Sequence, residues 1–411
     1  MRPLLLACAG VFLLAFLAGL SFVRLSGDLN RRAEGDGPYY SGLAVSLAAG
    51  KGYVLARSPW PEAPHLGRLP AWPFLLSLPL RVFPQAGEFA VLRISAVFFH
   101  ALASALLLCL AYQFWKSLRV AAAAGVMLAL YPPAYALLNE GYPEPCWLAL
   151  TLVGILLVRR GGAAQLPGAL LAGVAVLVRS NFLILPFTAA AAGWILRPRN
   201  FPRPLRSLTL LAVFLLPPGL WVLRNYSVSG AFPVLSALEG ETFYGGNNAV
   251  TADDWRYWGY WIFPDRIPGE TPKQKLAQTM DEAGLNRYYR HKGLSFLKQN
   301  WELIPKMEAG KLVRGFVPVP FVPRLGSYLG SLFRLGLFAA FLVLLLRHGP
   351  ADLWYSTLLW AVFLVVLVTT LVFYGSSRFT FCLEPFLMPP VAAFLFGRGS
   401  AVGEGRRSTP R

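Results

Sequence analysis

Charged residues are scarce in this 411-residue chain: they make up 14% of it, where a soluble domain carries about a quarter. Acids are the scarcer sign, with 20 Asp and Glu against 38 Lys and Arg. Hydrophobic residues account for 56% of the chain, and mean hydropathy is +0.51. Several apolar stretches reach the roughly 20 residues that cross a bilayer. The composition therefore excludes an ordinary soluble domain and predicts an all-α polytopic membrane protein.

Cysteine and histidine are also few, with four residues of each. The cysteines lie in or beside apolar segments and form no CxxC pair: Cys8, Cys109, Cys146 and Cys382. We therefore expect small buried thiols and neither a disulfide framework nor a metal site. No Walker loop, dinucleotide fingerprint, zinc motif or Ser-His-Asp constellation is present. The sequence requires no cofactor, and although a divalent metal is compatible with it, none is indicated.

The net charge of +18 would suggest nucleic acid in a soluble protein. Here the basic residues concentrate in short loops between apolar segments, where they orient the chain and meet anionic lipid. We interpret the charge as membrane topology and expect membrane lipid, not nucleic acid, as the partner.

About ten membrane spans are predicted. The first, Pro3 to Val23, follows Arg2 and is interpreted as an uncleaved helix. The others are centred near Ala101, Met127, Leu152, Leu171, Thr188, Phe214, Leu337, Val365 and Pro390. Basic residues cluster in alternate connections: Lys116 and Arg119; Arg159 and Arg160; Arg197, Arg199, Arg203 and Arg206; Arg347; Arg406 and Arg407. This asymmetry predicts the cytoplasmic (inner) membrane with both termini in the cytoplasm.

The predicted organisation is one membrane-embedded domain, 1–397, followed by a short basic cytoplasmic tail, 398–411. Two extracytoplasmic loops are long, 24–93 and 224–326, and long loops in compact proteins are commonly functional. Both mix aromatics with prolines, which favours interfacial helices or a cap. Helical spacing over 273–314 predicts an interfacial or periplasm-facing helical hairpin.

Polar residues beside the apolar segments fall on a single side of the threaded chain. They are Asp36, Glu140, Arg224, Asn247, Asn248 and Arg378. Charged groups near a membrane are costly and usually face a cavity or a functional site. We therefore predict a site on this side.

Asp36 has two interpretations that the residues alone leave open. Glycines flank it and allow close backbone approach, and a partly desolvated carboxylate suits a general base for a hydroxyl. Alternatively, Asp36 merely caps the helix that begins near Pro38.

The other candidates have ordinary alternatives too. Glu140 would be a solvated loop acid if it has no role in the site, and Glu144, between two prolines, is the weaker of these two acids. Arginine gives a phosphate bidentate contacts, although any one arginine at a span end can simply snorkel to lipid. The four arginines near outer span ends are Arg68, Arg179, Arg224 and Arg378.

Motifs in a fixed order over nearly the whole chain carry a family resemblance. They are Asp36 with Tyr39-Tyr40; Ala44 to Tyr53; Arg68-Leu-Pro-Ala-Trp-Pro; Asn139-Glu140; Val178-Arg179-Ser180-Asn181 with Leu185-Pro186; Trp221-Val-Leu-Arg224-Asn225-Tyr226; Tyr244-Gly-Gly-Asn-Asn248; and Gly375-Ser-Ser-Arg378-Phe379 with Glu384-Pro385. The chain resembles C-type (GT-C) membrane glycosyltransferases of the family-39, protein O-mannosyltransferase-like kind, in their bacterial lipopolysaccharide-transferase branch.

The resemblance implies a GT-C fold and an inverting hexosyl or pentosyl transfer. The donor would be a polyprenyl-phosphate sugar and the acceptor a hydroxyl of a glycan, lipid or protein, on the extracytoplasmic side. Asp36 would be the base and Glu140 a second acid that places a substrate. Arg68 would contact the donor phosphate, with Arg224 and Arg378 as helpers. Substrate contacts are expected from Tyr39, Tyr40, Tyr53, Tyr244, Asn247 and Asn248.

Two rival classes stay open at the sequence level. A transporter or flippase for a lipid-linked substrate would place ionisable groups near the membrane centre and often shows repeats; the predicted spans are nearly free of acids apart from Glu384, and no repeat is visible. A non-catalytic membrane protein is the second rival. The sugar, the acceptor and the oligomeric state are not encoded in a recognisable motif.

Overall fold

The computed structural model describes residues 2–196, 204–232, 235–317, 325–348 and 352–397. These residues form nineteen α-helices joined by turns and short 3-10 segments. Within them, the only extended pairing is an isolated antiparallel bridge between Val54 and Pro64. The all-α class predicted from composition is confirmed.

The described residues up to Ser229 form ten helices. They are α1 Arg2–Leu25, α2 Gly37–Ala48, α3 Ala71–Val82, α4 Glu88–Trp115, α5 Leu118–Ala129, α6 Pro132–Glu140, α7 Glu144–Arg160, α8 Gln165–Val176, α9 Leu185–Leu196 and α10 Pro204–Ser229. The described residues from 235 onward form nine. They are α11 Glu239–Gly246, α12 Ala249–Asp253, α13 Lys273–Leu276, α14 Glu282–Gln299, α15 Ile304–Phe316, α16 Leu325–His348, α17 Leu353–Val372, α18 Ser377–Thr380 and α19 Glu384–Phe396.

Each predicted span centre lies inside one of these helices. Five described helices are long and apolar enough to cross a membrane: α1, α4, α10, α16 and α17. A bent pair, α5 and α6, adds a sixth, with a 46° angle at the break. Pro132 and Pro133 open α6, and proline, which has no N–H, suits the first turn of a new helix. The chain is a multi-pass helical membrane protein, and the count of ten spans stays a prediction.

The main core runs between the membrane helices. It includes the fully buried rings of Trp72, Trp147 and Phe386 together with Leu92 of α4 and Val362 of α17. Small residues let helices approach closely in a membrane, where van der Waals packing drives association. In α7 and α8, for example, a Cβ added to Gly168 would lie 2.8 Å from the carbonyl oxygen of Gly154.

The segment 235–317, which we call the cap, contains α11–α15 and has a small core of its own. This core is formed by Tyr244, Ile262, Ile267, Leu276, Leu285 and Tyr289. The helix α14 packs against α11, and α15 packs against α17 and α18. Helices α13, α14 and α15 cover most of the range 273–314, and whether they form the predicted hairpin stays a prediction.

The end of the bundle away from the cap carries one of the predicted basic clusters. The guanidinium of Arg159 stacks 3.6 Å from the ring centre of Phe114 and 5.3 Å from that of Trp354. The ends of α4 and α7 and the start of α17 therefore meet there. The tail 398–411 lies outside the described residues. So do five residues of the predicted basic clusters: Arg197, Arg199, Arg203, Arg406 and Arg407.

Candidate functional site

Asp36 lies between two arginines that are distant in sequence. Its Oδ1 is 2.9 Å from a terminal nitrogen of Arg68, and its Oδ2 is 2.9 Å from a terminal nitrogen of Arg378. The side chains of Asp36 and Arg378 keep 24% and 28% of their surface exposed. A ligand can therefore reach the ion pair at this end of the bundle.

The ion pair continues inward through a second acid. Arg378 donates from Nε to Oε1 of Glu144 at 2.8 Å, and Arg179 donates to the same oxygen. The Glu144 side chain is fully buried and that of Arg179 is 9% exposed. Five charges thus alternate in sign from Arg68 to Arg179, and each acid is shared by two arginines.

The arginines decide the ionisation of Asp36. Burial alone would raise the pKa of this carboxyl, but the charges and hydrogen bonds of Arg68 and Arg378 hold the pKa well below its usual range. Burial would likewise lower the pKa of Arg378, yet Glu144 and Asp36 raise it well above its ordinary value. The free site therefore holds an ionised carboxylate and charged guanidinium groups at neutral pH.

Tyrosine rings lie against the guanidinium planes. The Arg68 guanidinium carbon is 4.9 Å from the ring centre of Tyr39 and 5.5 Å from that of Tyr40. Arg378 lies 3.9 Å from the ring centre of Tyr142. Cation–π contacts hold a guanidinium plane without using its N–H groups, so the arginines keep donors for other partners. Tyr142 was not among the predicted site residues.

The side chain of Asp36 does not support the capping interpretation, and the general-base interpretation stays a prediction. Asp36 does occupy the N-cap position of α2, but its side chain makes no capping hydrogen bond. Both carboxylate oxygens go to the arginines instead. The flanking glycines also have a packing reason: a Cβ on Gly35 would collide with the Tyr142 hydroxyl, and one on Gly37 would lie 2.8 Å from the Glu140 carbonyl oxygen.

Glu140 lies beside this network and outside the chain of ion pairs. Its carboxylate accepts the backbone N–H of Glu34 at 2.5 Å and the side-chain amide of Asn139 at 2.9 Å. Arg31 is 3.7 Å away. In the structure Glu140 therefore orders the turn that precedes Asp36, and its predicted contact with substrate stays a prediction. Glu144, which sequence reasoning ranked lower, is the acid that joins the network.

Arg224 and Tyr53 lie one step behind Arg68. Arg224 donates to the His65 carbonyl at 2.9 Å and stacks 5.5 Å from the ring centre of Tyr53. The Tyr53 hydroxyl donates to the carbonyl oxygens of Arg68 and Leu69, both at 3.0 Å. Both residues shape the loop that carries Arg68, and their predicted contacts with phosphate and substrate stay predictions.

The asparagines of the cap have their side-chain groups occupied internally. Asn248 accepts the N–H groups of Val250 and Thr251 and donates to the carbonyls of Tyr244 and Gly245. Asn247 donates to two carbonyls and accepts from Lys311. The Tyr244 hydroxyl donates to Glu270 at 2.8 Å. These bonds build the cap and, through Asn247, attach it to Val372 of α17. The predicted substrate contacts of the three residues stay predictions.

Three buried polar atoms of the network have no hydrogen-bond partner in the described protein. They are Nε of Arg68, Oε2 of Glu144 and Nε of Arg179. Buried polar groups are normally paired with protein or water, so these atoms mark the network as a place for water or a polar ligand. Among the described residues, no group of three His, Cys, Asp or Glu side chains has the geometry of a metal site.

This arrangement can perform two chemical tasks together. Two arginines on one rim can bind an anion such as a phosphate, and the carboxylate between them can accept a proton. Because both arginines contact Asp36, anion binding and the basicity of the carboxylate are coupled through the same two guanidinium groups.

Comparison with known proteins adds a partial structural likeness. ArnT from Cupriavidus metallidurans in the apo state superposes with a TM-score of 0.46 at 13% identity, over 94% of this chain and 76% of that chain. The same protein bound to undecaprenyl phosphate gives 0.45 at 15% identity, over 93% and 76%. No family model and no curated protein sequence matches the chain. A likeness of this size does not assign an activity.

Proposed function

We propose that the chain is an inverting GT-C glycosyltransferase that moves a hexose or pentose from a polyprenyl-phosphate donor to an acceptor hydroxyl. The observation that carries the proposal is the Asp36 carboxylate held between Arg68 and Arg378 at an exposed rim of a membrane protein. The ordered motifs that resemble family-39 transferases pass through the same three residues.

The donor phosphate would bind where Arg68 and Arg378 converge. Their remaining N–H groups, including the unpartnered Nε of Arg68, would donate to its oxygens. The positive charges of Arg68 and Arg378 lower the pKa of Asp36. A bound phosphate would offset part of that positive charge, so the pKa of Asp36 would rise and the carboxylate would become a stronger base. Donor binding would thus turn a resting carboxylate into a general base.

The transfer would then proceed as a single nucleophilic displacement at the anomeric carbon. The acceptor oxygen forms a bond to the anomeric carbon on the face opposite the phosphate, and its proton goes to Asp36. The bond from that carbon to the phosphate oxygen breaks, and polyprenyl phosphate leaves with the electron pair. Arg68 and Arg378 stabilise the charge that develops on the leaving group. No metal ion is needed for these steps.

The location proposed for the site is the extracytoplasmic face of the cytoplasmic membrane, with both termini in the cytoplasm. The basic Arg159 cluster at the opposite end of the bundle supports this orientation, since basic residues favour the cytoplasmic side. We propose a glycan, lipid or protein as acceptor, and no nucleic acid.

The test is to purify the full chain in detergent and supply a panel of polyprenyl-phosphate sugars with short glycan and lipid acceptors. Release of polyprenyl phosphate is measured for the wild type and for Asp36→Asn. General-base loss is worth about 10²–10⁴ in rate, so Asp36→Asn should lose at least 100-fold. Thermal melting of both proteins checks that the variant is folded.

Each outcome has a definite meaning. Release by the wild type that disappears in folded Asp36→Asn supports the transferase and the base together. Equal release by both proteins removes Asp36 as the base while keeping the enzyme class. An absence of release and of donor binding with every donor rejects the transferase.

Transport of a lipid-linked substrate is the second candidate, and one observation favours it. Arg334 of α16 and Glu384 of α19 form a buried ion pair, 7% and 0% exposed, among membrane helices. Ionisable groups at such positions often mark substrate pathways. In this pair, however, the arginine also donates to the Gly315 carbonyl and to the Thr380 hydroxyl, and Tyr131 donates to Glu384. Because both residues of the pair have these additional hydrogen bonds, the pair is better suited to holding α16 against α19 than to moving during transport.

A further inference from the structure

The loop that carries Arg68 is fixed from the cap by one carboxylate. Glu282, at the start of α14, accepts the backbone N–H of Leu66 at 2.7 Å, and its other oxygen lies 3.2 Å from Nδ1 of His65. The Glu282 side chain is 13% exposed. Since Leu66 is two residues before Arg68, this contact sets the path of the backbone as it enters the arginine.

The cap also binds the same loop through Ser236 and Ala237, and it leaves no room for a side chain at Gly67. The hydroxyl of Ser236 donates to the Gly67 carbonyl at 2.6 Å, and Ala237 donates its N–H to the Leu66 carbonyl at 3.0 Å. A Cβ on Gly67 would lie 2.5 Å from a Glu282 oxygen. The cap therefore contacts every residue from His65 to Gly67.

The loop 373–376, which leads to Arg378 at the start of α18, is fixed by a buried lysine on a different cap helix. Lys311 of α15 is 1% exposed, and its ammonium donates to the Leu371 carbonyl at 2.6 Å, to Asn247 at 2.9 Å and to Glu308 at 2.7 Å. Asn247 in turn donates to the Val372 carbonyl at 3.1 Å. Together they hold the last turn of α17, just before the arginine loop.

This second attachment also continues along the loop. Gly375 donates its N–H to the Gly259 carbonyl at 2.8 Å, and a Cβ on Gly375 would lie 2.8 Å from Cβ of Arg314. The loop thus lies directly on α15 and on the 259 turn of the cap.

We infer that Glu282 and Lys311 are positioning residues through which the cap sets the spacing of Arg68 and Arg378 around Asp36. The kinetic consequence rests on the proposed function, since a correct spacing of the two arginines matters for a phosphate that must contact both. The structural consequence does not: removing either cap residue frees one arginine loop. The two consequences can be measured separately.

The first measurement is amide hydrogen exchange of the full chain in detergent without ligand. Glu282→Ala should speed exchange over residues 65–70 at least tenfold, and Lys311→Met should do so over residues 373–379. Glu282→Gln, which keeps an acceptor oxygen for Leu66, should restore most of the protection. Exposed residues of the cap supply matched controls that should change neither segment: Glu302→Ala and Lys306→Met.

The second measurement is the rate of polyprenyl-phosphate release with the donor that the wild type uses best. Lys311→Met should lower kcat/KM for the donor about tenfold, mainly through KM. In an Arg378→Lys background, Lys311→Met should lower kcat/KM for the donor less than twofold. A residue that acts through Arg378 has no further effect once that arginine has been replaced. Glu282→Ala should show the same pattern in an Arg68→Lys background.

Three results would overturn parts of the scheme in distinct ways. Unchanged exchange over both segments rejects the positioning role whatever the activity. Changed exchange with fully additive kinetic effects rejects the route through the arginines. If no donor is used, the proposed function fails, and exchange over the two loops alone decides whether the cap orders them.

Discussion

Arg378 donates its Nε–H to Glu144 at 2.8 Å, although 234 residues separate the two. The other side of the same guanidinium faces Asp36. Glu144 is wholly buried, so it cannot exchange this partner for water without exposing its carboxylate. The contact fixes the direction in which Arg378 presents its remaining nitrogen to the exposed rim.

Replacing Glu144 by Gln should therefore damage the protein more than replacing Glu140. Glu144→Gln leaves Arg179 and Arg378 beside a neutral amide, and breaking a buried pair costs about 3–5 kcal/mol. We expect a clearly lower melting temperature and at least tenfold weaker donor binding per folded molecule. Glu140→Gln should lower the melting temperature only slightly, because its carboxylate is partly exposed.

Melting in detergent and donor titration of both variants provide this comparison. A Glu140→Gln variant that melts normally but loses all transfer would contradict the ranking and return Glu140 to the chemistry. Loss of folding in both variants would be resolved by Glu144→Asp, which keeps the charge.

The arginines should differ from lysines at both positions. Arg68 and Arg378 each present a planar set of donors and stack on tyrosine, which a lysine ammonium does not reproduce. Arg68→Lys and Arg378→Lys should each raise KM for the donor about tenfold or more. The rise in KM should be larger at high salt, because salt screens the more exposed ion pair between a lysine ammonium and the donor phosphate.

Initial rates over a range of donor concentrations at low and high salt would measure this effect. Arg266→Lys, an arginine of the cap that stacks on Phe263, is a matched control with no expected change. Unchanged KM in both Arg68→Lys and Arg378→Lys would remove these two residues from the phosphate site.

Apolar runs predicted a helix at each of the ten positions, and threading them placed Asp36, Arg68 and Arg378 at one end. Hydrophobicity fixes which segments enter the bilayer, so the end on which each loop emerges follows from counting. The ion pairs between those loops show that this part of the prediction was sound.

Which of two neighbouring acids faces inward was not predictable in the same way. Glu140 and Glu144 are four residues apart, but a left-handed glycine turn at Gly141 separates them. The orientation of α7 about its axis then decides that Glu144 turns toward Arg179 and Arg378. That orientation depends on packing against distant helices, which no local pattern records. The same limit applies to the cap, where amphipathic spacing reveals an apolar face but not its partner.

The cap should also carry a pH-dependent contribution to stability. Burial raises the pKa of Glu239 to about 7, although Arg290 lowers it in part, whereas an unfolded glutamate titrates near 4.3. The folded state therefore binds this proton more tightly than the unfolded chain. Its stabilising effect is full below about pH 4.3 and is lost as the pH rises to about 7. Glu239→Gln removes this loss.

Melting temperatures from pH 5 to pH 8 would reveal the effect. As the pH rises, the melting temperature of Glu239→Gln should increase relative to that of the wild type. The exposed Glu302→Gln serves as control for general pH effects on the detergent-solubilised protein. A difference that stays constant, or that moves the other way, would show that Glu239 titrates normally in the folded state.

The ion pair of Arg334 and Glu384 gives the clearest separation between the transferase and the transporter. If the pair only clamps α16 to α19, Glu384→Gln should reduce stability by about 3–5 kcal/mol, because a buried arginine loses its charged partner. The variant that remains folded should then release polyprenyl phosphate at the wild-type rate per molecule. If the pair belongs to a transport pathway, movement of a lipid-linked sugar across proteoliposomes should stop in Glu384→Gln. Wild-type proteoliposomes that move no such lipid, together with normal release by the folded variant, would assign the pair to the fold.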